Sequence, residues 1–421
     1  MIIQGCCYDD EVLLMYKRKD SSMKYDFTSI IDRTGKDAIA VEVIPFADAV
    51  VDEGFDRIPM WVADMNFPTV PTIQEKMMER VQHSTFGYFN PRREYYDSII
   101  QWHKVRNHVE GMTQEAIGYE NGVLGCVAAS LQAFTAPGEA VLLHSPTYIG
   151  FTHVFEENGR KMILSDLVQD ENGIWRMDYE DMDRKLKEYK IHFAVFCSPH
   201  NPTGRVWEKQ EIETAMEVYK KNNCIVISDE IWSDLTLNGY QHLPTQSVSE
   251  DAKMRTIAIY APSKTFNLAG LIGAYHVIYN PYLRDRVRKQ SALVHYNSMN
   301  VLSMYALLGA YGEEGHIWVD ELKSVLSDNV EFAYSYILEH FEGVKLAKPQ
   351  GTYMLYLDCE EWCKKKGITL DELIKSGIRV GVIWQDGRPF HRPYAIRMNL
   401  ALPKVRVEEA FRRLTEYVFV K

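Results

Sequence analysis

Short runs of almost unbroken apolar, β-branched character govern what this chain can fold into: AVLLHSP (140–146), HFAVFCSP (192–199), CIVISDE (224–230) and TIAIYAPSK (256–264). Each run ends in polar or turn-forming residues, and stretches of helical periodicity separate them. Strands apolar on both sides need cover on both faces, which a parallel sheet wrapped by helices provides. In such a sheet ligands gather at the carboxyl ends of the strands, so the polar residues closing each run are the functional candidates. After about Gly312 the pattern changes to a long helical stretch (319–341), a strand-like TYMLYLD (352–358), a helix and a closing strand near AIRMNLA (395–401). These patterns predict an α/β fold, with a large unit over 66–312 and a smaller α+β unit made of 23–65 and 313–421. Residues 1–22 differ in character from the rest of the chain, Met23 opens a new segment, and the first 22 are read as an N-terminal extension or a misplaced start.

The 421 residues, 46% of them apolar, suffice for two such units. A net charge of −11, from 58 acidic and 47 basic residues, argues against a nucleic-acid partner. Seven scattered cysteines, Cys6, Cys7, Cys126, Cys197, Cys224, Cys359 and Cys363, show no CxxC spacing. Reduced thiols in the cytoplasm fit them better than disulfides or a metal. With no apolar stretch of about 18 residues, the sequence predicts no membrane span.

Lys264, in APSKTFNLAG (261–270), directly follows a buried run. A lysine in a partly desolvated site loses its proton, attacks an aldehyde and forms a Schiff base. Asp229 and Glu230 close another run, and a buried carboxylate needs a cationic partner such as a protonated pyridine nitrogen. In SPHNPTG (198–204) two prolines and a glycine shape a turn that presents Asn201 for a phenolic oxygen. ENGVLG (120–125) precedes a helix whose amino-terminal amides can hold a phosphate, and Tyr148 in SPTY (145–148) can stack on an aromatic ring. Singly each has an ordinary structural explanation: a helix-capping aspartate, a turn asparagine, a core tyrosine. Their succession at strand ends is what carries weight.

These motifs, with RMNLA (397–401), resemble in order and spacing the fold-type I enzymes dependent on pyridoxal 5'-phosphate (PLP), over nearly everything from Met23 onward. WVADM (61–65), FGY (86–88) and SKTFNLAG are similar to the branch containing the MalY/PatB cystathionine β-lyase-like proteins. The resemblance implies a mostly parallel seven-stranded sheet in the large domain and a homodimer with shared active sites. It implies Lys264 as Schiff-base former and proton shuttle, Asp229 on the pyridine nitrogen, Asn201 on the phenolic oxygen and Tyr148 on the ring. The phosphate falls to Gly122, Val123, Leu124, Ser263 and a second subunit's Tyr88. Arg397 matches the arginine that clamps a substrate carboxylate, with Asn201 and backbone near Ala63.

Departures from the pattern are informative. Ile272 stands where many aminotransferases of this fold carry a phosphate-binding arginine, and Trp232 replaces their cofactor-bonding tyrosine; both favour the lyase side. Ala40-Val41-Glu42 and Asn66 differ from the branch as well. His391 and Arg392 in PFHRPY (389–394) are read as exposed loop residues rather than ligands of a distal carboxylate. The expected function is a PLP-dependent carbon–sulfur β-lyase acting on L-cystathionine or related cysteine S-conjugates. An amino acid aminotransferase is the alternative, and a PLP-binding regulatory protein the third reading.

Overall fold

The computed structural model describes residues 23–295 and 297–420; the expected extension over 1–22 lies outside them. Strands β1 (Ile117–Glu120), β2 (Ala140–Ser145), β3 (Lys161–Asp166), β4 (Phe193–Cys197), β5 (Ile225–Asp229), β6 (Thr256–Tyr260) and β7 (Ala274–Val277) form one sheet in the order β1-β7-β6-β5-β4-β2-β3. β7 is antiparallel to both neighbours, and the other pairings are parallel. Every residue of β4 and β6 is buried. Alternation along the strands explains the unbroken apolar runs. Val195 and Ile227 pack on one face with Val127 and Leu131 of the helix Val123–Phe134, while Ala194, Phe196 and Val226 pack on the other with Ile212 and Met216 of the helix Lys209–Lys221.

A second sheet joins β8 (Met354–Asp358), β9 (Gln385–Asp386) and β10 (Ala395–Asn399) in the antiparallel order β8-β10-β9. Leu355, Leu357, Ile396 and Met398 enter the main core, which also holds Leu373 and Ile374 of the helix Leu370–Arg379 and Phe411 of the helix Lys404–Tyr417. Thr369 starts the first of these helices with a capping box: its hydroxyl accepts from Glu372 N at 3.2 Å and its own N–H donates to Glu372 Oε2 at 2.7 Å. The early segment Ile58–Pro59 pairs in parallel with Val382–Ile383. The long helix Glu313–His340 comes after the main sheet in the chain.

β2, β4, β5, β6, β8 and β10 lie within the runs predicted from sequence, whereas β1, β3, β7 and β9 fall outside them. The TIAIYAPSK run differs at its end: the chain leaves the sheet after Tyr260 and winds one helical turn, Pro262–Thr265, which carries Lys264. Pro262 at the first helical position, with its fixed φ and missing N–H, explains the switch. Among the described residues no helix is long and apolar enough to cross a membrane.

Candidate active site

Adjacent strands β4, β5 and β6 deliver Asn201, Asp229 and Lys264 to one end of the sheet. The turn after β4 is fixed by Ser198 N donating to Asp229 O at 3.0 Å and Gly204 N donating to His200 O at 2.7 Å. Asp229 and Glu230 are both buried but differently served. Glu230 accepts from Ser228 Oγ (2.8 Å), Thr245 N (3.1 Å), Tyr260 OH (2.7 Å) and His242 Nε2 (2.7 Å). Burial alone would raise its pKa, yet His242 and these donors hold it below the usual carboxylate range. Asp229 accepts from Ile231 N at 3.1 Å and belongs to no ion pair among the described residues. Burial pushes it up to about 7, with neighbouring Glu230 adding and the Ile231 amide and Lys264 opposing.

Lys264 Nζ donates to Ala63 O at 2.9 Å and lies 6.0 Å from the centre of the Trp232 ring. Burial, then the Arg397 charge, brings its ammonium down to about 8, against the pull of Asp64 and Asp229. Trp232 is buried edge-on to Tyr353, at 4.8 Å between ring centres. Arg397 enters from β10: Nη1 donates to Asn201 Oδ1 at 3.0 Å, Nη2 to Trp61 O at 3.3 Å, and the guanidinium lies 4.7 Å from the Phe390 ring centre. It is buried without a carboxylate partner among the described residues, its Nε bonds nothing, and burial lowers it to about 10.

Tyr148 ends the turn after β2, and burial raises its hydroxyl. A Cβ on Gly150 would lie 2.5 Å from Tyr148 Cε1 and 2.9 Å from Leu124 Cδ1, so glycine there lets the ring lie against Leu124. Gly122 has φ +81° and precedes the helix Val123–Phe134. Its N–H is already engaged by Glu120 O at 2.9 Å, so the amides of Val123 and Leu124, in the helix's first turn, are the ones offered to an anion. Ile272 flanks this turn, with its Cγ2 at 3.6 Å from a Cβ built on Gly122. Ser263 sits in the first turn of the helix carrying Lys264. Tyr88 is fully exposed and is not drawn into this cluster within one chain.

Three residues without a role in the sequence reading hold the segment bearing Ala63. Asn399 Nδ2 donates to Val62 O (2.9 Å) and Asp64 O (2.8 Å). Asn267 Nδ2 donates to Asp64 Oδ1 (2.8 Å) and Met65 O (3.0 Å), and Arg33 pairs with Asp64 at 2.8 Å. Asn267 and Asn399 both lie inside motifs that were read, so proximity to Lys264 and Arg397 was the available signal. His391 and Arg392 are half-buried rather than exposed: His391 Nε2 is 3.1 Å from Thr152 Oγ1, and Arg392 Nη2 donates to Leu167 O at 3.2 Å. The loop folds back onto the large sheet's connections, which the sequence pattern did not disclose.

The family described as aminotransferase class I and II matches residues 58–414. The chain belongs to that family. It is 32% identical to the cystathionine beta-lyase PatB of Bacillus subtilis over 322 residues, 76% of this chain and 82% of that one. With the protein MalY of Escherichia coli it shares 28% over 398 residues, 91% and 96% of the two chains. A PLP-bound C-S lyase from Staphylococcus hominis superposes with a TM-score of 0.85 at 27% identity, covering 95% of this family member and 99% of that structure.

Proposed function

We propose that the chain is a PLP-dependent carbon–sulfur β-lyase that cleaves L-cystathionine or a related cysteine S-conjugate to a thiol, pyruvate and ammonia. The observation that carries the reading is that two buried ionisable groups without salt partners among the described residues, Asp229 and Arg397, both act on Lys264 and Tyr148. Asp229 is a buried carboxyl that burial pushes toward its neutral form for want of a cation, and Arg397 is a guanidinium without an anion among the described residues. A protonated pyridine ring meets the first need and an amino acid's α-carboxylate the second.

The residues fit PLP. Asp229 would hold the ring nitrogen, Asn201 the phenolic oxygen and Tyr148 the ring face, with Trp232 beside the lysine. The amides of Val123 and Leu124, the Gly122 turn and Ser263 would hold the phosphate. When bound, the cofactor supplies an electron sink for the negative charge that develops at the substrate Cα. Arg397, with Asn201 and backbone of the Trp61–Ala63 segment, fixes the substrate carboxylate and so orients the Cα–H bond. Lys264 Nζ, easily deprotonated near neutral pH, takes the Cα proton and can later return it. The Cβ–S bond then breaks, the thiolate leaves with a proton, and water converts the remaining fragment to pyruvate and ammonia.

Transamination would use the same groups and is the second reading, favoured by the family's own description. Ile272 and Trp232, together with the named lyases among the relatives, support the lyase. The division into a large unit over 66–312 and a small unit of 23–65 and 313–421 is supported by the pairing of Ile58–Pro59 with Val382–Ile383. A homodimer fits the fully exposed Tyr88 beside exposed Phe86, aromatic side chains suited to reach a partner's phosphate site. The buried, unpaired Cys126, Cys197, Cys224, Cys359 and Cys363 suit a reducing cytoplasm.

The deciding experiment incubates PLP-saturated protein with L-cystathionine, without any 2-oxo acid, and follows thiol and pyruvate together. Sustained, equimolar release supports the lyase. Amino transfer that starts only when a 2-oxo acid is added, without thiol release, rejects it.

A further inference from the structure

Arg397 and Tyr356 sit directly opposite each other in the β8/β10 ladder, and so do Ala395 and Asp358 two residues along each strand. Residues opposite in such a ladder, and those two apart, share one face. That face of the second sheet looks toward the large sheet: Tyr356, Phe390 and Ala395 cluster against Tyr148 and Ile149. From Arg397 outward the same face runs into a cleft of about 500 Å³, whose lining includes Tyr356, Asp358, Ala395, Arg392, Trp175 and Gln169. Arg392 closes it from the loop before β10. Its guanidinium lies 5.6 Å from the Trp175 ring centre, Nη2 bonds Leu167 O, and Nε is buried without a partner.

The charges of the cleft are mixed, and Lys345 and Asp358 are β-bridge partners. Lys345 is paired with Glu361 at 2.9 Å and Glu360 with Lys364 at 2.7 Å. Arg392 and Asp358 are in no ion pair among the described residues. One cation and one anion without salt partners, flanking an aromatic wall, match a group that carries both a carboxylate and an ammonium. Two residues of strand span about 7 Å, so the cleft lies within the length of a side chain of a few atoms from an amino acid held at Arg397, with Tyr356, opposite Arg397, standing between the two and lining the cleft.

We propose that this cleft is a second, distal amino acid subsite, with Arg392 taking the carboxylate and Asp358 the ammonium of the group attached to sulfur. The inference rests on the β-lyase reading and sharpens it. The site selects conjugates whose leaving thiol is itself an amino acid over simple alkyl conjugates, and Arg392 is a specificity-determining residue.

The test is binding, so that it stands apart from turnover. PLP-loaded protein is titrated, by cofactor absorbance and calorimetry, with 2,7-diaminosuberate and with L-norleucine. Both carry an unbranched aliphatic side chain and lack a sulfur leaving group, and the first alone bears a distal amino acid head. Tighter binding of diaminosuberate by about tenfold or more is expected, with most of that preference lost in Arg392→Met and partly kept in Arg392→Lys. Equal affinities in the unaltered protein, or a preference that survives Arg392→Met, would overturn the subsite. Norleucine binding by the variant reports an intact site. If the Arg392-dependent preference is found but cystathionine yields no thiol, the lyase reading fails and the subsite stands; thiol release without the preference gives the converse.

Discussion

Arg397 Nη1 donates to Asn201 Oδ1 at 3.0 Å, a bond between residues 196 apart that ties the three-stranded sheet to the turn after β4. The amide oxygen holds one arm of the guanidinium and Trp61 O the other, so the fork is aimed before any substrate arrives. For a buried cation this preorganisation matters, because no carboxylate among the described residues competes for it.

Arg397→Ala is therefore expected to lower kcat/KM for the amino acid by about 10²- to 10³-fold, roughly 3–4 kcal/mol of transition-state stabilisation. Arg397→Lys keeps the charge and loses the fork, so its defect should be smaller and fall mainly on KM. Steady-state kinetics on both variants decide this. Wild-type values in Arg397→Ala would place the carboxylate site elsewhere.

Lys264 gives a prediction in pH. Its folded value of about 8 lies below the ordinary 10.5, and only the unprotonated amine attacks an aldehyde. Covalent capture of added PLP by cofactor-free protein should rise through about pH 8 and level off above it, read from the visible absorbance of the attached cofactor. Lys264→Ala should show no such absorbance and no turnover. A capture rate still climbing steeply above about pH 9.5 would mean that the site does not lower the lysine.

The strand ends were legible because burial on both faces leaves a continuous apolar signature and then stops. Asn201, Asp229 and Lys264 stand in or just after the residues where the pattern breaks, and their succession there, not any one of them, made them candidates. β7 was not legible: AYHV (274–277) is too short, and its antiparallel direction is a tertiary outcome of pairing Ala274 with Glu120. The clamp on Ala63 was hidden for another reason. Asn267 and Asn399 act on backbone some 200 or more residues away, and no local periodicity reports such bonds. Arg392 was misplaced because a loop of polar residues reads as exposed until the surface it folds onto is known.

Asp229 predicts how the cofactor-free protein responds to pH. Its folded value is raised from 3.8 to about 7, so folding favours the neutral carboxyl. The contribution is present in full below about pH 4 and is lost as pH rises through about 7, for roughly 4 kcal/mol. Asp229→Asn keeps the shape without the charge. Its urea midpoint should match wild type near pH 4 and exceed it by about pH 8, in cofactor-free protein. A gap that stayed constant with pH would show that Asp229 is not held neutral by burial.

Asn267 joins stability to the site. Its backbone sits at φ +57°, which asparagine tolerates and alanine resists, and its amide makes three bonds to the segment behind Ala63. In Asn267→Ala those bonds go, the Met65 N–H loses its acceptor and the backbone is strained, a cost of about 3 kcal/mol in all. Asn267→Gly removes the bonds and relieves the backbone, so it should be less destabilised, by about 1 kcal/mol. Urea unfolding of both variants separates the two contributions: equal losses would assign everything to the bonds, and no loss in either would refute the clamp. Because the segment presents Ala63 O to Lys264 Nζ, both variants should also slow PLP capture, and a stability loss without that slowing would confine Asn267 to a structural role.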